Sequence, residues 1–180
     1  VVDNHGRTSI EDVYAAGDCA TIYQIVQDEQ SYVPLATGAN KLGRIVGENL
    51  AGMDTEFQGS LASSCIKVMD MEAGRTGITE EKAKALGVNY KTAFITDMNQ
   101  TDYYPGQNKI YVKLIYNADT YEILGGQVAG YKGAVQRVNV LAACIFGKLT
   151  TKQLGMLDLC YAPPFARTWD VLNVAGNVSK

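Results

Sequence analysis

Lys109-Ile-Tyr-Val-Lys-Leu-Ile-Tyr-Asn117 and Tyr121-Glu-Ile-Leu-Gly-Gly-Gln-Val-Ala-Gly130 are two β-rich runs, and only Ala118-Asp-Thr120 separates them, a loop of hairpin length. Tyr90 to Met98 is a third such run. Further upstream, Leu61 to Asp70 and Glu72 to Ile78 are two strand-sized segments joined by a tight turn. Between them and Tyr90, Thr79 opens a short helix: its hydroxyl can cap the first turn, Glu80 and Glu81 sit where the helix dipole favours acid, and Gly87 marks the stop. Downstream, Ala134 to Leu149 is amphipathic, with Val135, Val138, Leu141, Ala142 and Ile145 along one face. A last helix is expected from about Thr168 to Asn177. Strands grouped with helices in this way describe a compact α+β unit.

The first fifty residues have a different character. Val13 to Ala16 is a short β-type run ending in Gly17-Asp18, and Gln24 to Ser31 is an irregular polar stretch. Pro34 suits the first turn of a helix, and Leu35, Ala39, Leu42, Val46 and Leu50 then recur at helical spacing up to a capping Gly52. Two strand-sized pieces and one helix cannot bury themselves. Residues 1–52 therefore read as the tail end of a larger domain, and 53–180 as a second one.

Composition narrows the functional classes. The chain has 180 residues, 47% of them apolar, and a formal net charge of −3. An acidic chain of this kind offers no basic footprint for nucleic acid and no polybasic patch for an anionic membrane. The longest apolar run, Val138 to Phe146, contains Asn139 and falls short of the ~20 residues of a membrane helix. No signal peptide is visible. The four cysteines form no CxxC pair, and two lie in apolar surroundings, where a free Cys acts as a small hydrophobe. The expectation is a cytoplasmic protein with reduced thiols.

Three stretches carry chemistry. The first is Thr8-Ser-Ile-Glu-Asp-Val-Tyr-Ala-Ala-Gly-Asp-Cys-Ala20, in which a β run ends at a glycine that permits close backbone approach, followed by a carboxylate able to accept hydrogen bonds from hydroxyls. A Gly-Asp turn alone is common in α/β proteins; the whole run, with a helix at the right distance, is not. The run resembles the second flavin-binding motif of the FAD- and NAD(P)-dependent disulfide reductases, T-S-x-x-x-V-Y-A-x-G-D. The helix opening at Pro34, Leu35 and Ala36 resembles the P-L-A-x-x-A-N-x-x-G-R-x-x-G segment of the same family. A helix N-terminus carries about half a positive charge, worth ~0.3–2 kcal/mol to a nearby anion. Aimed at the pyrimidine edge of a flavin, it would favour the reduced form. Ala36, Ala39, Gly43 and Gly47 form a small-residue stripe on this helix, which would equally suit close packing without a ligand.

The second stretch is Tyr161-Ala-Pro-Pro-Phe165, where two prolines hold the backbone extended. It is similar to the Y-A-P-P-F signature of the NADH oxidase, NADH peroxidase and coenzyme A-disulfide reductase group. In that group it crosses the dimer interface toward the partner's flavin and redox centre. Here Ala166 stands where the pattern usually has Ser, and Asp170-Val-Leu-Asn173 replaces its D-P-[VL]-N. The third stretch, Asp102-Tyr-Tyr-Pro-Gly106, resembles the loop of coenzyme A-disulfide reductases and persulfide-reducing relatives. There one tyrosine and the Y-A-P-P-F tyrosine flank the reacting thiol. A phenol ionises near pKa ~10 and is a proton donor at neutral pH, so Tyr161 and Tyr103 are the candidate general acids, with Tyr104 the neighbouring alternative. The bland alternatives are an aromatic clamp and a strand-end loop.

What the resemblance implies is a fragment of an α/β FAD-binding domain followed by a dimerisation domain, an antiparallel sheet with packed helices. FAD would be held at Gly17, Asp18, Pro34, Leu35 and Ala36. NAD(P)H would bind outside these residues, since no GxGxxG fingerprint occurs here. The implied assembly is a homodimer acting on a small-molecule disulfide such as coenzyme A disulfide, or on a persulfide, with no metal. An NADH oxidase or peroxidase of the same group, and a dimerisation module inactive alone, are the competing readings.

Overall fold

The structure is a computed structural model that describes residues 1–179. The chain divides into two compact units, Val1–Ala62 and Ser63–Lys180.

The first unit is small. Strands β1 (Ile22–Gln24) and β2 (Glu29–Ser31) pair antiparallel, and α1 (Ala36–Leu50) follows. Val2, Ala20, Ile22, Leu42 and Phe57 form its core, with Ala15, Ala16, Val33 and Ile45 packed against it. Phe57 keeps the stretch after the helix in this unit: its N–H donates to Asn4 O at 2.8 Å, and Ser60 exchanges hydrogen bonds with Tyr23 and Ile25. The last turn of α1 is closed by Gly52 N–H to Asn49 O and Met53 N–H to Glu48 O.

Three local readings change here. Gln24 to Ser31 is a hairpin rather than irregular, because its polar side chains build the turn: Gln24 Oε1 accepts from Gln27 N–H at 2.7 Å, and the Tyr23 hydroxyl donates to Asp28 Oδ1 at 2.6 Å. Val13 to Ala16 is not a strand. Only Tyr14 bridges to Arg7, across a turn in which Thr8 Oγ1 accepts from Ile10 N–H. Pro34 precedes the helix instead of opening it. Leu35 N–H turns back to Val33 O at 2.8 Å, and this holds Leu35 extended (φ −132°, ψ 134°) as the residue before the first helical turn.

The second unit is one five-stranded antiparallel sheet in the order β3-β4-β7-β6-β5, with β3 (Ser64–Val68), β4 (Met71–Gly77), β5 (Tyr90–Met98), β6 (Lys109–Asn117) and β7 (Ile123–Gly130). α2 (Glu80–Ala85) packs on β5, α3 (Ala134–Phe146) lies on β4 and β7, and α5 (Val171–Val178) lies on β5 and β6. Alternate β6 residues Ile110, Val112 and Leu114 are fully buried, each contributing ~1.5–3 kcal/mol of apolar transfer energy. Their neighbours Tyr111 and Lys113, with Phe94, Ile66 and Gln127, line a shallow depression of the sheet.

The amphipathic helix stops at Phe146, before the expected Leu149, because Gly147 turns the chain and Leu149 N–H closes on Cys144 O. A helix that the sequence pattern did not flag, α4 (Thr151–Met156), packs on α5. It is too short to show a period, yet Thr150 and Gln153 form a reciprocal capping box at its start. The two helices meet backbone to backbone: a Cβ at Gly176 would lie 2.5 Å from Gly155 N. Among the four cysteines only Cys144 is buried, and burial pushes its thiol pKa up; Cys19, Cys65 and Cys160 are exposed. Among the described residues no helix is long and apolar enough to cross a membrane, and no His/Cys/Asp/Glu cluster suits a metal.

Candidate functional site

In the first unit, the two stretches singled out from the sequence leave one core. Ala16 and Val33 both pack against the cluster of Val2, Ile22, Leu42 and Phe57, so Gly17-Asp18 and Pro34-Leu35-Ala36 start from the same floor. Gly17 has φ +92°, a conformation side-chain-bearing residues rarely adopt, and nothing lies within 4 Å of where its Cβ would be. Asp18 is exposed, with no side-chain partner among the described residues. The N-terminus of α1 is equally open: Leu35 supplies no side-chain cap, the first turn holds no acid, and Pro34, Ala36 and Thr37 are exposed. A bare backbone cradle and a free carboxylate can accept and donate hydrogen bonds to a polar ligand edge. The small-residue stripe does not pack within this unit, since nothing lies within 4 Å of a Cβ at Gly43 or Gly47.

In the second unit, the structure brings together two tyrosines that are 58 residues apart. The hydroxyls of Tyr103 and Tyr161 are hydrogen-bonded at 2.8 Å, on a surface where the rings are 71% and 42% exposed. The bond to Tyr161, with some desolvation, holds the Tyr103 pKa above its ordinary value, so the phenol stays protonated at neutral pH. Tyr104 takes no part in this pair; its carbonyl accepts from Gln100 Nε2 at 3.2 Å.

Both tyrosine-bearing loops are tied down by polar groups. In the Tyr103 loop, Asn99 and Asn108 exchange hydrogen bonds, Gln100 also donates to Pro105 O, and Gln107 donates back to Gln100 O at 2.7 Å. Thr101 Oγ1 then reaches the other loop, donating to Pro163 O at 3.2 Å. Where the Tyr161 loop begins, Asn173 Nδ2 holds Leu154 O and Leu157 O; where it ends, Ala166 is buried. Asp170 and Asn173, an altered motif in the sequence, form a capping box at the start of α5. Phe165 is 71% exposed within this unit.

Sequence reasoning missed Arg137. It lies in α3, buried against Asp170, and donates to the backbone of both loops. A lone Arg inside an apolar helical run, at a position that faces the core, was the only available signal.

Comparison with known proteins shows the family of the second unit. Residues 63–171 match the family described as pyridine nucleotide-disulphide oxidoreductase, dimerisation domain, and the chain belongs to it. The chain is 41% identical over 174 residues to the NAD(P)H sulfur oxidoreductase (CoA-dependent) of Pyrococcus furiosus, covering 97% of this chain and 39% of that protein. It is 32% identical to a coenzyme A disulfide reductase of Staphylococcus aureus, over 99% of this chain and 41% of the relative. Among solved structures, a NAD-dependent persulfide reductase from A. fulgidus superposes with a TM-score of 0.94 at 35% identity, over 99% of this chain and 33% of that one. The chain thus spans about two fifths of the length of the curated relatives it matches.

Proposed function

We propose that this chain is the C-terminal, dimer-forming portion of an FAD-dependent NAD(P)H:disulfide oxidoreductase that reduces coenzyme A disulfide or a related small disulfide or persulfide. The observation that carries the reading is the Tyr103–Tyr161 hydrogen bond at an exposed surface. Relatives named for coenzyme A and for sulfur reduction support it.

In this reading a cysteine thiolate from another segment of the enzyme attacks one sulfur of the substrate, and the S–S bond breaks toward the other. The departing thiolate takes a proton from one phenol of the pair, while the second phenol donates to the phenolate oxygen left behind. Tyr161, the less exposed ring, is the assigned donor and Tyr103 its support. The electron pair originates in NAD(P)H, whose site lies outside these residues. Gly17, Asp18, Pro34, Leu35 and Ala36 would hold FAD: Asp18 would accept from ribityl hydroxyls, and the uncapped start of α1 would face the pyrimidine edge. Bound flavin would supply two-electron transfer between nicotinamide and the redox sulfur. The open N-terminus and the unpartnered carboxylate fit such a group. Residues 1–52, together with the stretch to Ala62 that packs on their core through Phe57, are then the last part of the FAD-binding domain. The working form is a homodimer with α3 and the Tyr161–Phe165 segment at or near its two-fold axis.

The test is Tyr161→Phe in the full-length enzyme, with the two half-reactions followed separately by stopped flow. General acids contribute ~10²–10⁴-fold; because Tyr103 shares the role, the disulfide half-reaction should slow by ~10-fold or more. Flavin reduction by NAD(P)H should be unchanged. Loss of neither half-reaction, or of flavin reduction by NAD(P)H alone, would make Tyr161 an interface aromatic and remove the catalytic assignment.

A further inference from the structure

The two tyrosine-bearing loops are joined directly by the hydroxyl pair and by Thr101 Oγ1 donating to Pro163 O, and a further tie runs through α3. Arg137 is only 8% exposed, and its guanidinium reaches three separate segments. Nε donates to both oxygens of Asp170 at 3.1 and 3.0 Å, and Nη2 to Asp170 Oδ2 at 2.6 Å. Nη2 also donates to Asn99 O at 3.2 Å and to Phe165 O at 3.3 Å, and Nη1 closes on Gly133 O at 3.1 Å. Asn99 begins the loop that carries Tyr103; Phe165 ends the segment that carries Tyr161.

We propose that Arg137 is the positioning residue of the tyrosine pair, with Nη2 of its anchored guanidinium bridging the backbone of both loops so that the two hydroxyls meet. The claim rests on the catalytic reading above only for its consequence on turnover, since the clamp itself is a statement about geometry. The chemistry demands arginine. Nη2 meets both loop carbonyls and Asp170 Oδ2, while Nε and Nη1 in the same plane hold it in place against Asp170 and Gly133 O; a lysine has one nitrogen with three hydrogens to serve all of these partners. Asp170 balances the buried charge and, through Oδ1, caps α5 by accepting from Leu172 N–H at 2.9 Å. Asn173 in that same helix holds Leu157 O, so the far end of the Tyr161 loop is anchored through the same network. A purely structural ion pair would need only Asp170; the two loop carbonyls are what couple Arg137 to the tyrosines. The Thr101–Pro163 and Lys132–Pro164 hydrogen bonds are secondary ties, at 3.2 and 3.4 Å.

The experiment uses the 180-residue chain and Arg137→Lys, which keeps the charge and an Asp170 partner but loses the separate Nε and Nη1 bonds that hold the donor nitrogen between the two carbonyls. Folding is checked by circular dichroism and thermal melting. Photo-oxidation with a ruthenium tris-bipyridyl/persulfate couple then joins neighbouring phenols, and peptide mass spectrometry quantifies the Tyr103–Tyr161 dityrosine in species that migrate as single chains. The wild type should give this product, and the folded variant at least ~10-fold less. Should Arg137→Lys not fold, Asp170→Asn keeps the α5 cap while removing the carboxylate that anchors the guanidinium, and it carries the same expectation. Undiminished cross-linking in a folded variant overturns the proposal. In the full-length enzyme Arg137→Lys should slow the disulfide half-reaction as Tyr161→Phe does, and the double variant should be no slower than either. A lost cross-link with unchanged turnover would leave the clamp standing and sink the catalytic reading instead.

Discussion

The two units build their candidate sites from opposite materials. In Val1–Ala62 the site is backbone: a glycine in the left-handed region, an uncapped helix start and one free carboxylate, on a core of five buried apolar residues. In the second unit it is side chain: two phenols positioned by a buried guanidinium and a set of amides, above a five-stranded sheet with a large core. A site made of backbone groups is written into a short contiguous motif, because the local chain conformation is the site. One made of side chains from distant segments depends on a core stiff enough to keep them in register.

The comparison breaks first at the cores. Leu114 is fully buried in β6, and Leu114→Ala should cost ~2–5 kcal/mol. Leu42→Ala in α1 removes a comparable contact from the smaller core. Hydrogen exchange should speed up in β6 and β7 for the first variant and in α1 for the second, with little crossover. If each change loosens both units, they unfold as one and do not have separate cores.

Helix caps sharpen it at about a third of that energy. Thr150 caps α4 with its side chain, and Thr150→Ala should cost ~1 kcal/mol, lowering the melting temperature by a few degrees. Leu35 leaves α1 uncapped, so Leu35→Asp should stabilise the first unit by ~0.5–1 kcal/mol in the absence of flavin. The same change should weaken FAD binding by the full-length enzyme, because an anion then occupies the helix start. Tighter FAD binding by this variant, measured by flavin fluorescence quenching, would detach the helix from the flavin site.

The smallest effect is a titration. The Tyr103 phenol ionises above its ordinary value of ~10 because Tyr161 is hydrogen-bonded to it. A folded value raised above the unfolded one means the bond stabilises the fold below pH ~10, and the contribution is lost as pH rises through the folded Tyr103 value. Tyr161→Phe should therefore shift tyrosinate absorbance toward lower pH by more than the loss of one titrating ring explains. An unshifted curve would mean the two hydroxyls are not bonded in solution.

Much of this was legible in the residues. The β-rich runs at 90–98 and 109–117 match the observed strands, and Thr79 caps its helix by accepting from Lys82 N–H, because in these places local preference and fold agree. The hairpin at 22–31 was hidden, since its strands are three residues each and largely polar, and its turn is made by side-chain hydrogen bonds that no periodicity reports. α4 was hidden by its length.

The sequence by itself determined the α+β class, the Gly17-Asp18 turn with its following helix, and the identity of the two tyrosines worth watching. The turn and each separate strand or helix are encoded within a dozen or so neighbouring residues, where steric limits on the backbone and the period of apolar side chains act directly; Tyr103 and Tyr161 stood out by the resemblance of their segments to a family's motifs. Only the tertiary structure decided that Tyr103 and Tyr161 meet at 2.8 Å, and that Arg137 reaches the carbonyls of both their loops. Those contacts join positions 28 to 58 residues apart. Their geometry comes from packing α3 and α5 on the sheet, which sums many weak contacts that no single stretch of sequence contains.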